Sequence, residues 1–177
     1  MIEIIAVVFS LLSVVLSIKN NILTWPVGIV GIIFYTILFY QNEIWGNMNL
    51  QFLFILQSIH GWYNWNKPNK YKISWYENNK NLISSTILLT IFVTIILLSI
   101  NDKSPFFDGI TTSLSVIGII LLSFRKIETW LYWVVADSIF VWFFITENLY
   151  LSALVYFIFL ILAILGLKEW KKIIKTV

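Results

Sequence analysis

The chain alternates long apolar runs with short polar breaks. Seven runs stand out: Ile2–Ile18, Ile22–Tyr40, Met48–Trp65, Leu82–Ile100, Ile110–Phe124, Thr129–Thr146 and Leu149–Leu167. Each predicts a helix, since a bilayer core about 30 Å thick is crossed by about 20 helical residues. Several runs are shorter than that, which calls for tilt, snorkelling ends or local thinning.

The polar breaks carry an orientation signal. Lys19 follows the first run, Lys67, Lys70, Lys72 and Lys80 the third, and Arg125 and Lys126 the fifth. Lys168, Lys171, Lys172 and Lys175 follow the seventh. If every run crosses, all but one of the 12 Lys and Arg residues fall on one side, with Lys103 alone opposite. Such asymmetry predicts an outer N-terminus and a cytoplasmic C-terminus. The segment 66–81 is then a cytoplasmic loop and 101–109 an outer one. The opening Met1-Ile2-Glu3 lacks the basic start of a signal peptide, so the first run reads as a retained helix.

The chain also resembles itself. Displaced by 105 positions, Ile22 falls on Ile127, Thr24 on Thr129, Trp25 on Trp130, Val30 on Val135 and Phe39 on Phe144. Phe54 falls on Phe159, Gly61 on Gly166 and Trp65 on Trp170. Runs one to three thus match runs five to seven, and the fourth is a linker. Three crossings followed by a linker crossing bring both triplets into the membrane in the same sense. The predicted fold is an all-α membrane protein with seven transmembrane helices, arranged as two parallel three-helix repeats joined by a linker helix. A substrate site between such halves is a common carrier design.

Composition agrees. The chain is 59% hydrophobic and 12% charged, with a mean hydropathy of +0.86, whereas soluble domains average about 25% charged residues. The 177 residues hold the spans and short loops only. That predicts a single transmembrane domain, with repeat one at 1–66, the linker helix at 82–100 and repeat two at 109–171. The absence of cysteine excludes disulfides, thiolate metal sites and cysteine nucleophiles. No phosphate loop is present, so the chain does not hydrolyse ATP by itself. Nor is there a Ser/His/Asp set, a pair of intramembrane carboxylates or a zincin motif, so no enzyme and no cofactor is expected. Basic side chains confined to loops leave no nucleic-acid groove.

Candidate chemistry concentrates in the sixth run. Trp130, Trp133 and Asp137 are spaced three and four apart and share one helix face, which Phe140 and Phe144 continue. A carboxylate deep in a span costs at least about 2.5–3.5 kcal/mol, so Asp137 should face a wet cavity, a cationic partner or, protonated, a neighbouring helix. Two indoles beside a carboxylate suit a flat cationic ring. Trp130 also fits an interfacial belt; Trp133 lies a turn deeper. The first repeat has Gly28 and Ile32 at the matching positions, so the predicted site is asymmetric, with space beside Gly28 and Gly31. Gln51, Gln57 and Tyr156 are further candidates, although polar glue between helices also explains Gln57 and a buried interhelical bond also explains Tyr156. His60, the single histidine, reads as a packed residue, and Trp62, Trp65 and Trp170 as a cytoplasmic aromatic belt.

The stretches Trp25-Pro-Val-Gly-Ile-Val-Gly31, Gln51 to Trp65, Glu128 to Asp137 and Leu149 to Gly166 resemble the PnuC family of bacterial vitamin transporters. The resemblance implies a SWEET-like fold in the bacterial inner membrane and facilitated diffusion of nicotinamide riboside, which a cytoplasmic kinase then traps. It implies substrate contacts at Gln51, Trp130, Trp133, Asp137 and Tyr156, with Gln57 as a further one. Asp137 stands where nicotinamide riboside members carry Asn, and Val155 where some carry Glu. Relatives carrying thiamine also exist, and its thiazolium fits an Asp beside two indoles as well as a pyridinium does. The expected partners are therefore a small cationic vitamin and the lipid bilayer, with a homo-oligomer compatible. A non-transporting membrane subunit is the remaining alternative; it requires no buried charge, against Asp137.

Overall fold

The computed structural model describes residues 1–41, 45–67, 72–99 and 104–176, and these form seven helices. They are α1 (Ile2–Ile18), α2 (Thr24–Gln41), α3 (Trp45–Trp65), α4 (Asn79–Ser99), α5 (Pro105–Ser123), α6 (Glu128–Thr146) and α7 (Tyr150–Thr176). Lys70, Ile100 and Lys103 lie outside the described residues.

The apolar runs and the helices differ mainly at their ends. Pro105 opens α5 at its first position, where a missing N–H breaks no intrahelical bond. Asn79 starts α4 ahead of the predicted Leu82. α7 continues about two turns past Leu167, because Lys168–Thr176 contains neither Gly nor Pro to stop it. Among the described residues, five helices are long and apolar enough to cross a bilayer: α2, α4, α5, α6 and α7. α1 is apolar but has only 17 residues. α3 is long enough, but Gln51, Gln57, Ser58, His60 and Asn64 dilute its apolar character.

Six helices close a ring: α1 packs on α2, α2 on α3, α3 on α5, α5 on α6, α6 on α7, and α7 back on α1. α4 stands outside against α5, where Gly109 allows Thr94 a close approach. It reaches α6 through a 2.6 Å bond between Thr86 Oγ1 and Tyr132 Oη. Exchanging the repeats maps every contact of the ring onto another, as a pseudo-twofold axis requires.

Atomic detail follows the same axis. Thr24 Oγ1 donates to Ser13 O and Thr129 Oγ1 to Gly118 O, each at 2.8 Å. Across the two seams, Trp65 Nε1 donates to Leu122 O at 3.1 Å and Trp170 Nε1 to Ser17 O at 3.2 Å. The turns after α1 and α5 also match. Asn20 and Arg125 both take left-handed φ values of 49° and 52°, and their N–H groups cap Ser17 O and Leu122 O. Asn tolerates this region; Arg costs about 1 kcal/mol or more there. The Arg125 guanidinium offsets that cost, donating to Asn20 Oδ1 at 2.9 Å and stacking on Trp65.

Four tryptophans form the core on the axis. Trp25 meets Trp65 edge-on at 5.4 Å and 90°, and Trp130 meets Trp170 at 5.4 Å and 88°. Trp65 and Trp170 then touch each other at 6.3 Å. Trp65 and Trp170 are therefore core residues, and the aromatic-belt expectation fails for both. The N–H groups of Trp65 and Trp170 each find a carbonyl at the end of the opposite repeat's first helix, so these two rings are drawn inward. Trp62, by contrast, is exposed. Of the space expected beside Gly28 and Gly31, Gly28 does border open volume, but α1 fills the side where a Cβ would point, 2.9 Å from Ser13 Oγ at Gly28 and 3.0 Å from Ser10 Oγ at Gly31. Those glycines let α1 pack closely on α2.

One segment breaks the symmetry. Ser74 lies alongside the α5–α6 turn, donating its N–H to Arg125 O at 3.2 Å and accepting from Ile127 N at 3.0 Å. Buried Glu128, first residue of α6, accepts from Tyr76 N at 2.7 Å. The loop between α3 and α4 is thus tied to the root of α6.

Candidate functional site

A cavity of about 250 Å³ sits within the ring and touches all six of its helices. It lies on the pseudo-axis, because its walls are repeat-related pairs. Trp25 faces it with Trp130, Phe54 with Phe159, Val14 with Ile119, and Ser17 with Leu122. Where the pairs differ, they do so by chemistry. Repeat two supplies Trp133, Asp137 and Ala163; repeat one supplies Gly28, Ile32 and Ser58 at the same places. A symmetric frame thus holds a one-sided site.

Helix α6 presents Trp130, Trp133 and Asp137 to the cavity because their spacing puts them on one face. Trp130 packs edge-on against Trp170, and Gly166 leaves room for its ring. Trp133 lies against Gly118 of α5, where even a methyl group would stand 3.2 Å from the indole. Asp137 is only 5% exposed, and its carboxylate makes no hydrogen bond or ion pair within the described residues. The neighbouring-helix bond considered for it is not there. An unpartnered carboxylate in a cavity that also lacks lysine and arginine is expensive unless something else supplies a cation or a donor.

Tyr156 of α7 stacks on Phe140 and Phe144 at 4.4 and 5.2 Å. Its hydroxyl makes no hydrogen bond within the described residues. The Trp25 and Trp130 indole N–H groups are also buried without partners among the described residues. On the repeat-one side, Ser13, Ser17 and Thr24 spend their hydroxyls on one another, with Ser17 Oγ 2.5 Å from Thr24 Oγ1. Ser10 and Ser58 line the cavity without such a bond. The cavity therefore offers aromatic faces, one free carboxylate and several free donors.

Of the residues singled out from the sequence, Trp130, Trp133, Asp137 and Tyr156 come together here. Gln51 and Gln57 do not line the cavity. Gln57 donates to Ser123 Oγ at 3.1 Å across the α3–α5 seam, and Gln51 is partly buried on α3. His60 packs edge-on against Phe124 and bonds Asn64. Sequence reasoning missed Trp25, Phe54, Phe159 and the serines of α1. The duplication already paired Trp25 with Trp130, and that signal would have placed it in the site.

A family model described as nicotinamide mononucleotide transporter matches residues 1–172. The chain belongs to this family. The "Nicotinamide riboside transporter PnuC" of Escherichia coli (strain K12) is 25% identical over 201 residues, covering 96% of this chain and 84% of the relative. The same-named protein of Shigella flexneri matches equally. The crystal structure of the Vitamin B3 transporter PnuC shares the fold with a TM-score of 0.81 at 20% identity, over 99% of this chain and 82% of that one. Family membership makes this a multi-pass membrane transporter and not an enzyme.

Proposed function

We propose that the chain carries nicotinamide riboside across the bacterial inner membrane by facilitated diffusion, with the vitamin trapped afterwards by a cytoplasmic kinase. The observation that carries this reading is the unpartnered Asp137 carboxylate beside Trp133 in the axial cavity. A pyridinium ring supplies the missing positive charge, and aromatic faces attract a desolvated cation by about 2 kcal/mol. Tyr156 and Trp130 complete the proposed contact set, with free donors for ribose hydroxyls. Gln51 and Gln57 stand outside that set in this conformation.

The mononucleotide in the family's description fits less well. Its phosphate would need cationic partners, and no lysine or arginine lines the cavity. Thiamine, with a cationic thiazolium, satisfies Asp137 by the same argument and is the second reading. We place the N-terminus outside and the C-terminus in the cytoplasm, on the distribution of basic residues. Asp137 is the one carboxylate in the cavity, and a single counter-ion is not the relay that proton coupling requires.

Labelled nicotinamide riboside and thiamine, each offered to liposomes holding only this protein, test the reading. Nicotinamide riboside should equilibrate in both directions and stop at equal concentrations. Uptake of thiamine alone would transfer the assignment to the second reading, and accumulation driven by a proton or sodium gradient would refute uniport.

A further inference from the structure

The far end of α7 differs from its repeat-one counterpart. Its 27 residues span about 40 Å at 1.5 Å each, beyond a hydrocarbon core of about 30 Å. The apolar part ends at Leu167, and the last turns carry Lys168, Lys171, Lys172 and Lys175. At about 100° per residue, these four fall within an arc of about 100° on one face. The opposite face holds Trp170, Ile173 and Ile174, which pack into the tryptophan core. The lysines are exposed, and with Ile18 at the end of α1 and Leu165 they wall a groove of about 510 Å³. Glu169, bound to Lys172 at 2.8 Å, is the single acidic group in it.

Among the described residues, the other seam has no such cluster. The positions of repeat one that match Lys168, Lys171 and Lys172 are Tyr63, Asn66 and Lys67, and Lys67 sits over the Tyr63 ring at 3.6 Å; the match of Lys175 is Lys70, outside the described residues. α3 has ended by then.

We infer that this groove binds the headgroup of an anionic phospholipid, seated across the α1–α7 seam. Lysines at the membrane boundary attract acidic headgroups, and three of the four here have no acidic partner among the described residues. The apolar wall decides between a lipid and a free phosphate. Leu165, 47% exposed, lies one turn toward the bilayer from the lysines, and Ile18 flanks it. An acyl chain leaving the headgroup would lie against both, whereas inorganic phosphate has no use for either. The groove adjoins the bond from Trp170 Nε1 to Ser17 O, so a lipid there braces the contact between the repeats. The inference rests on this groove alone and not on which vitamin is carried.

Native mass spectrometry of the full-length protein in neutral detergent tests it, with phosphatidylglycerol and phosphatidylcholine offered at equal concentration. Phosphatidylglycerol should be retained several-fold more, and the triple variant Lys168→Gln, Lys171→Gln, Lys175→Gln should bring it down to the phosphatidylcholine level. The corresponding triple arginine variant should keep the preference, and a single Lys171→Glu should lower it if the glutamine triple does not fold. Millimolar inorganic phosphate should not displace the lipid. Equal retention of both lipids, a preference that survives the glutamine triple and Lys171→Glu alike, or ready displacement by phosphate would each overturn the inference.

Discussion

Arg125 Nε donates to Asn20 Oδ1 at 2.9 Å, and the two residues occupy equivalent places in the two repeats, 105 positions apart. A residue can bond its own equivalent only beside the axis that relates them. The axis therefore passes between the α1–α2 and α5–α6 turns, next to the Trp65–Trp170 contact. Arg125 also donates to Trp65 O at 3.4 Å and stacks on that indole. Burial lowers its pKa from the ordinary value, yet a guanidinium stays protonated at any pH the protein meets. A cation thus clasps the two repeats at the end that carries the basic residues.

If the repeats rock about the cavity, this clasp must open when that end opens. Asn20→Cys with Arg125→Cys, in a chain that has no other cysteine, allows the pair to be cross-linked. Cross-linking should reduce vitamin flux to the level of protein-free liposomes, and reduction should restore it. Undiminished flux through the cross-linked protein would rule out the clasp as a moving part.

Trp133→Ala should weaken substrate binding by about 1–3 kcal/mol, or about five- to a hundredfold, through lost cation–π and stacking contact. Titration of ligand into the purified variant measures this directly. Asp137→Asn should also weaken binding of a cationic vitamin while leaving that of a neutral analogue unchanged. Equal losses for both ligands would mean that Asp137 does not act by its charge.

Gly166→Ala places a methyl group against the Trp130 ring, with the nearest atom at 2.5 Å. Overpacking of this kind costs about 1–3 kcal/mol, so the melting temperature in detergent should fall. Trp65→Ala should cost more, about 3–5 kcal/mol, since it removes a buried indole and its bond to Leu122 O. A Trp65→Ala protein as stable as wild type would return that residue to the membrane interface.

Topology is open to direct measurement. A reporter fused after Val177 should read cytoplasmic, and one inserted at Pro105 should read periplasmic, on the asymmetry of basic residues. A third reporter, inserted near Asn69, should also read cytoplasmic; the same reading there and at Pro105 would mean that the linker helix does not cross.

Hydropathy alone determined the number and order of the helices, because each span must bury its own backbone polar groups in lipid and signals this by a long apolar run. The 105-residue register determined that the halves are copies, and the spacing of Trp130, Trp133 and Asp137 put them on one face. These are local or periodic properties, and a sequence carries them openly. Whether Trp65 and Trp170 face lipid or core is not such a property: indoles suit both places, and only the opposing carbonyls of Leu122 and Ser17 decide. The α1 serines escaped notice for the same reason. A hydroxyl in a span is satisfied by its own helix as readily as by a neighbour, and the close packing of α1 at Gly28 and Gly31 directs Ser13 and Ser10 toward α2. The ring closure that encloses Asp137 with no partner depends on two seams between residues more than 50 positions apart in sequence. Only the assembled repeats could place them together.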